Sequence, residues 1–343
     1  MLPGTSWNVF FIPTHNGAID LSMESELEKS LTLDAQAAEE SSPWIALGPA
    51  HLLFWVVLIW PVVSGLIHRL LFLMPLGSAA IPVSWVFTAV FWVLGGCAIV
   101  LGFKGQEAEN PGGMRRGAFL AAIVIWLIQV TIGLALRFQH IQFGDAWYTY
   151  LRVDPMVAPV IAAVPLILLM VSREEQSGGT FDASIAALTV LGGLGFLGPF
   201  LLAFGALLGG HPLLTATWDA LRRPSEAMKG EWFDGGDEVL KGRSLGQMAL
   251  AFALSAPLVV MLMLVGRFGR GGFDMAAQWI RPVAAWLTSL LLGIATLRST
   301  RHSGAREGRG MAIAALALFG ILLLPILALT VFLVLLATKV IRF

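Results

Sequence analysis

GAFLAAIVIWLIQVTIGLAL, residues 117–136, decides the fold class. It is bracketed by Arg115-Arg116 and Arg137 and contains no Asp, Glu, Lys, Arg or His. At 1.5 Å per helical residue, roughly 20 such residues match the ~30 Å hydrocarbon core of a bilayer. Seven further runs of this kind lie near 47–74, 79–103, 155–172, 184–209, 245–266, 275–297 and 310–336, each uncharged in its middle. The chain is 57% hydrophobic and 13% charged with mean hydropathy +0.79, whereas soluble domains carry roughly 25% charged residues. The reading is an all-α polytopic transmembrane bundle of about eight spans over residues 44–343, preceded by an acidic arm at 1–43.

The charges gather between the runs. Residues 1–43 hold Asp20, Glu24, Glu26, Glu28, Asp34, Glu39 and Glu40 against Lys29 alone, with no basic region of the kind that opens a secretory signal. Leu21, Met23, Leu27, Leu31 and Leu33 recur through this arm, which admits two readings: an amphipathic helix that docks on a partner, or a frayed tail. The Met74-Pro75-Leu76-Gly77 stretch marks a tight reversal between the first two spans. Eight spans put both chain ends on one side. A count of Lys and Arg by side favours, by a small margin, ends facing away from the cytoplasm.

Glycine and proline recur inside the spans, most densely as Gly192-Gly193-Leu194-Gly195-Phe196-Leu197-Gly198-Pro199. Small residues let helices approach closely in lipid, so Gly192, Gly195 and Gly198 are expected at helix contacts and the fifth helix at the centre of the bundle. The competing reading is an unwound helix that exposes backbone carbonyls, as in transporters. Trp147, Tyr148 and Tyr150, in the expected loop 137–154, read as interfacial anchors. The connection 211–244 reads either as short helices on the membrane surface, from its Trp218/Leu221 and Met228/Trp232 spacing, or as a solvated loop.

A unit repeats along the chain. Trp92-Val93-Leu94-Gly95-Gly96 followed by Arg115-Arg116-Gly117-Ala118 is echoed by Leu292-Gly293-Ile294-Ala295 followed by Gly308-Arg309-Gly310-Met311-Ala312, and more weakly by Lys241-Gly242-Arg243-Ser244. The unit is a hairpin whose basic loop ends in Arg-Gly before an Ala-rich helix, with Arg309 as a headgroup-level anchor. The last hairpin, about 283–336, resembles the uncharacterised bacterial DUF4190-type membrane hairpin. That resemblance covers about a sixth of the chain and implies a multi-pass protein of the bacterial inner membrane, with no catalytic residue.

Several functions lose ground on composition. Balanced charge, 22 basic against 22 acidic residues, offers no positive face for nucleic acid. Cys97 alone supports neither a disulfide nor a thiolate cluster. Spans without Asp, Glu or Lys argue against proton coupling, and Arg281 lies about two turns inside the seventh span, within snorkelling reach of the interface. No Gly-x-Ser-x-Gly, His-Glu-x-x-His or P-loop pattern is present. No cofactor is expected, although interfacial His51, His140 and His211 leave haem or pigment ligation open. The favoured reading is a non-catalytic membrane subunit or scaffold, with lipid and other membrane subunits as partners. The first alternative is a permease or channel for a small neutral solute, built from the fifth helix with Pro257, Thr288 and Ser289. The second is a redox or pigment-binding subunit.

Overall fold

A computed structural model describes residues 44–73, 80–138, 145–172, 178–195, 197–208, 212–234, 238–265, 272–303, 306 and 308–337. These belong to one compact unit, Trp44–Phe343; the expected acidic arm lies outside the described residues. In chain order the elements are β1 (Trp44–Ala46), α1 (Pro49–Leu73), α2 (Ala80–Glu109), α3 (Gly113–Phe138), α4 (Asp145–Val171) and α5 (Thr180–Thr189). A π-helical turn (Val190–Leu194) follows, then α6 (Leu197–Leu208), α7 (Leu213–Arg222), α8 (Pro224–Lys229), β2 (Trp232–Asp234), α9 (Glu238–Val265), α10 (Gly272–Ser303) and α11 (Arg309–Ala337).

The protein is a helical membrane bundle. Three helices among the described residues are long and apolar enough to cross a bilayer: Trp85–Glu109 in α2, Gly113–Leu134 in α3 and Val283–Arg301 in α10. The pair α6 and α7 passes the same test jointly but is bent by 120°. Large apolar side chains face outward along α2, α3 and α4, among them Val93, Val100, Leu120, Val124, Val160 and Val164, as lipid requires. Inside, glycine makes the close contacts: Gly95 and Gly102 of α2 lie under the Trp126 and Phe119 rings of α3, and the Gly105 backbone lies against that of Phe181.

The expected fifth span, 184–209, is not one crossing helix. Its first part, α5, is buried from Phe181 to Thr189 and packs on α1, α2 and α3. It loosens into the π turn and breaks, with Gly193 at φ 123° and Gly195 at φ 51°, ψ −129°. Only glycine reaches such a conformation without strain. Contacts along α4 give the direction of each arm. A Cβ on Gly193 would meet Ala158, in the middle of α4, whereas one on Gly205 would meet Met170, at its end. From Asp182 to Gly193 the chain descends ~16 Å, and from Gly193 to Gly205 it climbs back ~18 Å. The hairpin closes where it began: a Cβ on Gly178 would fall 2.8 Å from Cγ of Pro212.

That reversal changes the parity of everything downstream. Arg298 Nη1 donates to Leu207 O, and Gly308 lies against Gly242 and Gly246 of α9. The loops before α3 and before α11 are therefore at the same end of the bundle, not at opposite ends as an even run of eight crossings requires. With β1 at that end and α11 leading away from it, the two ends of the described chain point in opposite directions.

Three smaller expectations also change. The fold is not purely α: β1 pairs antiparallel with β2, Ile45 opposite Phe233. The segment 211–244 does contain short helices, α7 and α8, but also β2; Leu213 to Thr217 are buried against the bundle, and α9 begins at Glu238. Trp147, Tyr148 and Tyr150 belong to the first turns of α4, not to a loop.

Gly195 has open space around it, so its requirement is conformational. Gly195→Ala is expected to cost about 1–3 kcal/mol through backbone strain. Gly96→Ala, equally unobstructed but helical, is expected to be neutral or to stabilise by up to about 1 kcal/mol. Unfolding titrations of the two variants in detergent check the contrast.

Candidate functional site

Four element ends converge where α5 enters the bundle. Arg115, in the first turn of α3, sends Nε to Oδ1 of Asp182 at 2.9 Å; its Nη2 contacts the same oxygen and donates to Glu109 Oε2 at 3.0 Å. Arg115 is 3% exposed and Asp182 0%, so this is an ion pair removed from solvent. The second oxygen of each carboxylate is also used. Asp182 Oδ2 accepts from Gly178 N–H at 2.9 Å, and Glu109 Oε1 accepts from Phe181 N–H at 2.9 Å.

Glu109, at the end of α2, thus caps the first turn of α5, where amides lack helical partners and the dipole favours negative charge. Gly179 is small for the same reason, since a Cβ there would strike the Glu109 carboxylate. The aliphatic and aromatic surroundings seal the pair: the Phe181 ring lies 5.5 Å from Arg115 Cζ and 5.1 Å from the Phe119 ring.

His51 completes the clasp. Nδ1 lies 3.0 Å from Gly48 N and 3.3 Å from Gly48 O; with Nδ1 accepting from the shorter contact, the Gly48 N–H, Nε2 carries the proton and donates to Gly178 O at 2.9 Å. The imidazole spans the gap between α1 and the start of α5 with both nitrogens occupied. It would have to surrender a backbone bond to ligate haem or a metal. His140 and His211, the other two expected candidates, lie outside the described residues. Among the described residues no group of three or more His, Cys, Asp or Glu side chains could hold a metal ion.

A second set of bonds seats α7 at the same end. Trp55 Nε1 donates to Thr217 O at 2.7 Å, Trp218 Nε1 to Gln247 Oε1 at 3.1 Å, and Ser244 Oγ to Asp219 Oδ2 at 3.3 Å. Burial pairs with this arrangement: Asp219 is buried while its neighbour Arg222 is half exposed. α7 therefore ties α1 to α9.

The hairpin tip is the remaining unusual feature. Gly195 N–H donates to Val190 O at 3.3 Å across the π turn, and Gly198 N–H to Gly195 O at 3.2 Å. Of the three glycines expected at helix contacts, Gly192 lies 3.0 Å from Ile125 Cγ2 and Gly198 2.9 Å from Val190 Cγ2, measured to a built Cβ, whereas Gly195 meets nothing. Thr288 Oγ1 donates to Ala284 O at 2.6 Å within its own helix. Buried Ser289 Oγ, Trp126 Nε1 and Trp286 Nε1 have no hydrogen-bond partner among the described residues. Arg309 stands exposed at the start of α11.

Sequence reasoning named Arg115 and His51 without joining them to each other or to Glu109 and Asp182. Arg115 and Asp182 are 67 positions apart, and His51 was read as an interfacial histidine open to haem or pigment ligation. The available signal was positional, since each charge lies at an end of a helix: Arg115 and Asp182 in first turns, Glu109 in a last turn.

No family model, curated protein or solved structure matches this chain.

Breaking a buried ion pair strands its partner and costs about 3–5 kcal/mol. Arg115→Met and Asp182→Asn are each expected to destabilise by that order, and the double variant by at least about 1 kcal/mol less than their sum. Arg223→Met, in the half-exposed pair with Glu226 at 2.7 Å, should change stability by no more than about 1 kcal/mol. Strict additivity of the first two would contradict the clasp.

Proposed function

We propose that this membrane-embedded protein conducts a small neutral solute, and that the hairpin α5–π–α6 lines the path. One observation supports this above the others: a helix buried along its whole length breaks at mid-depth and turns back. Backbone with unpaired polar groups is expensive in hydrocarbon, and irregular segments persist at membrane depth where they are enclosed by protein or line a hydrated cavity. Broken helices whose ends meet near the midplane are the recurrent way in which membrane proteins present N–H and C=O groups to a solute. The spans carry no Asp, Glu or Lys in their middles, which fits a neutral solute better than an ion or a proton.

In this reading the chain is a multi-pass protein of the bacterial inner membrane. It crosses seven times, through α1 to α4 and α9 to α11, with the hairpin as a re-entrant element. It performs no covalent chemistry. The redox reading loses one ligand candidate, because both His51 nitrogens are committed to backbone.

Swelling of proteoliposomes in iso-osmotic glycerol or urea, followed by light scattering, tests the proposal. The expected result is influx at least tenfold above protein-free vesicles, with sodium chloride excluded. Influx equal to that of empty vesicles across a panel of neutral solutes, together with a stably co-purifying membrane partner, would return the scaffold reading to first place.

A further inference from the structure

We infer that Gly193 and Gly195 form a hinge on which the bundle's two halves move relative to each other. The two arms of the hairpin belong to different halves. Both arms touch α4, but α5 otherwise packs on α1, α2 and α3, while α6 packs chiefly on α10, which itself packs closely on α9 and α11. The first arm is anchored at its start by the Arg115–Asp182–Glu109 clasp and the His51 bond to Gly178. The second is anchored at its end by Arg298 Nη1 on Leu207 O at 3.1 Å. Each arm is thus anchored at its outer end by a different set of bonds, and the chain between the two anchors is interrupted at the tip.

The tip has the properties a hinge needs. Two left-handed glycines interrupt the helix within three residues, Gly193 at φ 123° and Gly195 at φ 51°. Side-chain bulk does not obstruct rotation at Gly195, where a Cβ would meet nothing within 4 Å. The π turn, held by Gly195 N–H on Val190 O at 3.3 Å, is a helical defect that can shift its register by exchanging i+5 for i+4 bonds. At the clasp end the halves are also tied by α7, through Trp55 to Thr217 O and through Asp219 and Trp218 to Ser244 and Gln247. The halves are therefore pinned at that end, so their relative motion is a rocking about the clasp. Such a motion would admit solute to the tip, but the hinge rests on the packing of the arms and stands apart from the conduit reading.

A reversible lock tests it. Gly198 lies against Val190 across the break, so Val190→Cys with Gly198→Cys, in a Cys97→Ser background, can be closed by oxidation and reopened by reductant. Fluorophores on unnatural amino acids at Ile128 of α3 and Leu324 of α11, both exposed on the outer surface, report the distance between halves by single-molecule energy transfer in nanodiscs. The reduced protein is expected to sample at least two distances and the oxidised protein one, with the distribution restored on reduction. One narrow, unchanged distribution in both states would overturn the hinge. An absence of solute influx alongside two distances would overturn the conduit and leave the hinge standing.

Discussion

A chain that turns back inside a bilayer must hide its backbone, because hydrocarbon offers no hydrogen-bond partner to the groups a turn exposes. The structure obeys that constraint by burying α5 on all sides and reversing it where glycine can take up φ values forbidden to other residues. α2 presents Gly95, Gly102 and Gly105 so that rings of α3 and the backbone of α5 can approach. Met170 and Ala158 of α4 then receive the two arms at two depths. Remove the reversal and the loops before α3 and α11 no longer fall at one end.

The clasp explains how so polar a junction is tolerated. Asp182 and Arg115 would each be costly to bury alone, but together with Glu109, the Gly178 and Phe181 amides and the His51 ring they exchange water for fixed partners. Such a network adds little net stability over an apolar substitute; its effect is on register, because a displaced α5 would strand a buried charge. That is how a hairpin with few specific side chains at its tip can still have a defined depth.

Much of this was legible in the sequence, and the failures have physical causes. Apolar runs of bilayer length announced the membrane class, since length and hydropathy are properties of the residues themselves. The run 184–209 has the length of a span and was counted as one. Its reversal depends on φ at Gly193 and Gly195, which composition does not declare, although Gly-Gly-Leu-Gly in mid-run with Pro199 just beyond was the sign of a break. The clasp was missed because it joins residues from four elements whose proximity follows only after α5 is placed. The pairing of Ile45 with Phe233 was missed for the same reason, each strand being three residues long. The Arg-Gly repeat was visible, but reading 184–209 as one straight helix put the loops before α3 and α11 at opposite ends.

The central claim is that residues 180–212 enter and leave the membrane on one side. Single cysteines at Met114, Met228 and Arg306, all exposed, in a Cys97→Ser background can be treated with a membrane-impermeant maleimide on sealed vesicles of uniform orientation. A re-entrant hairpin predicts that all three react from the same side. Reaction of position 114 from one side and of positions 228 and 306 from the other would show that 184–209 crosses the membrane, and would contradict the account.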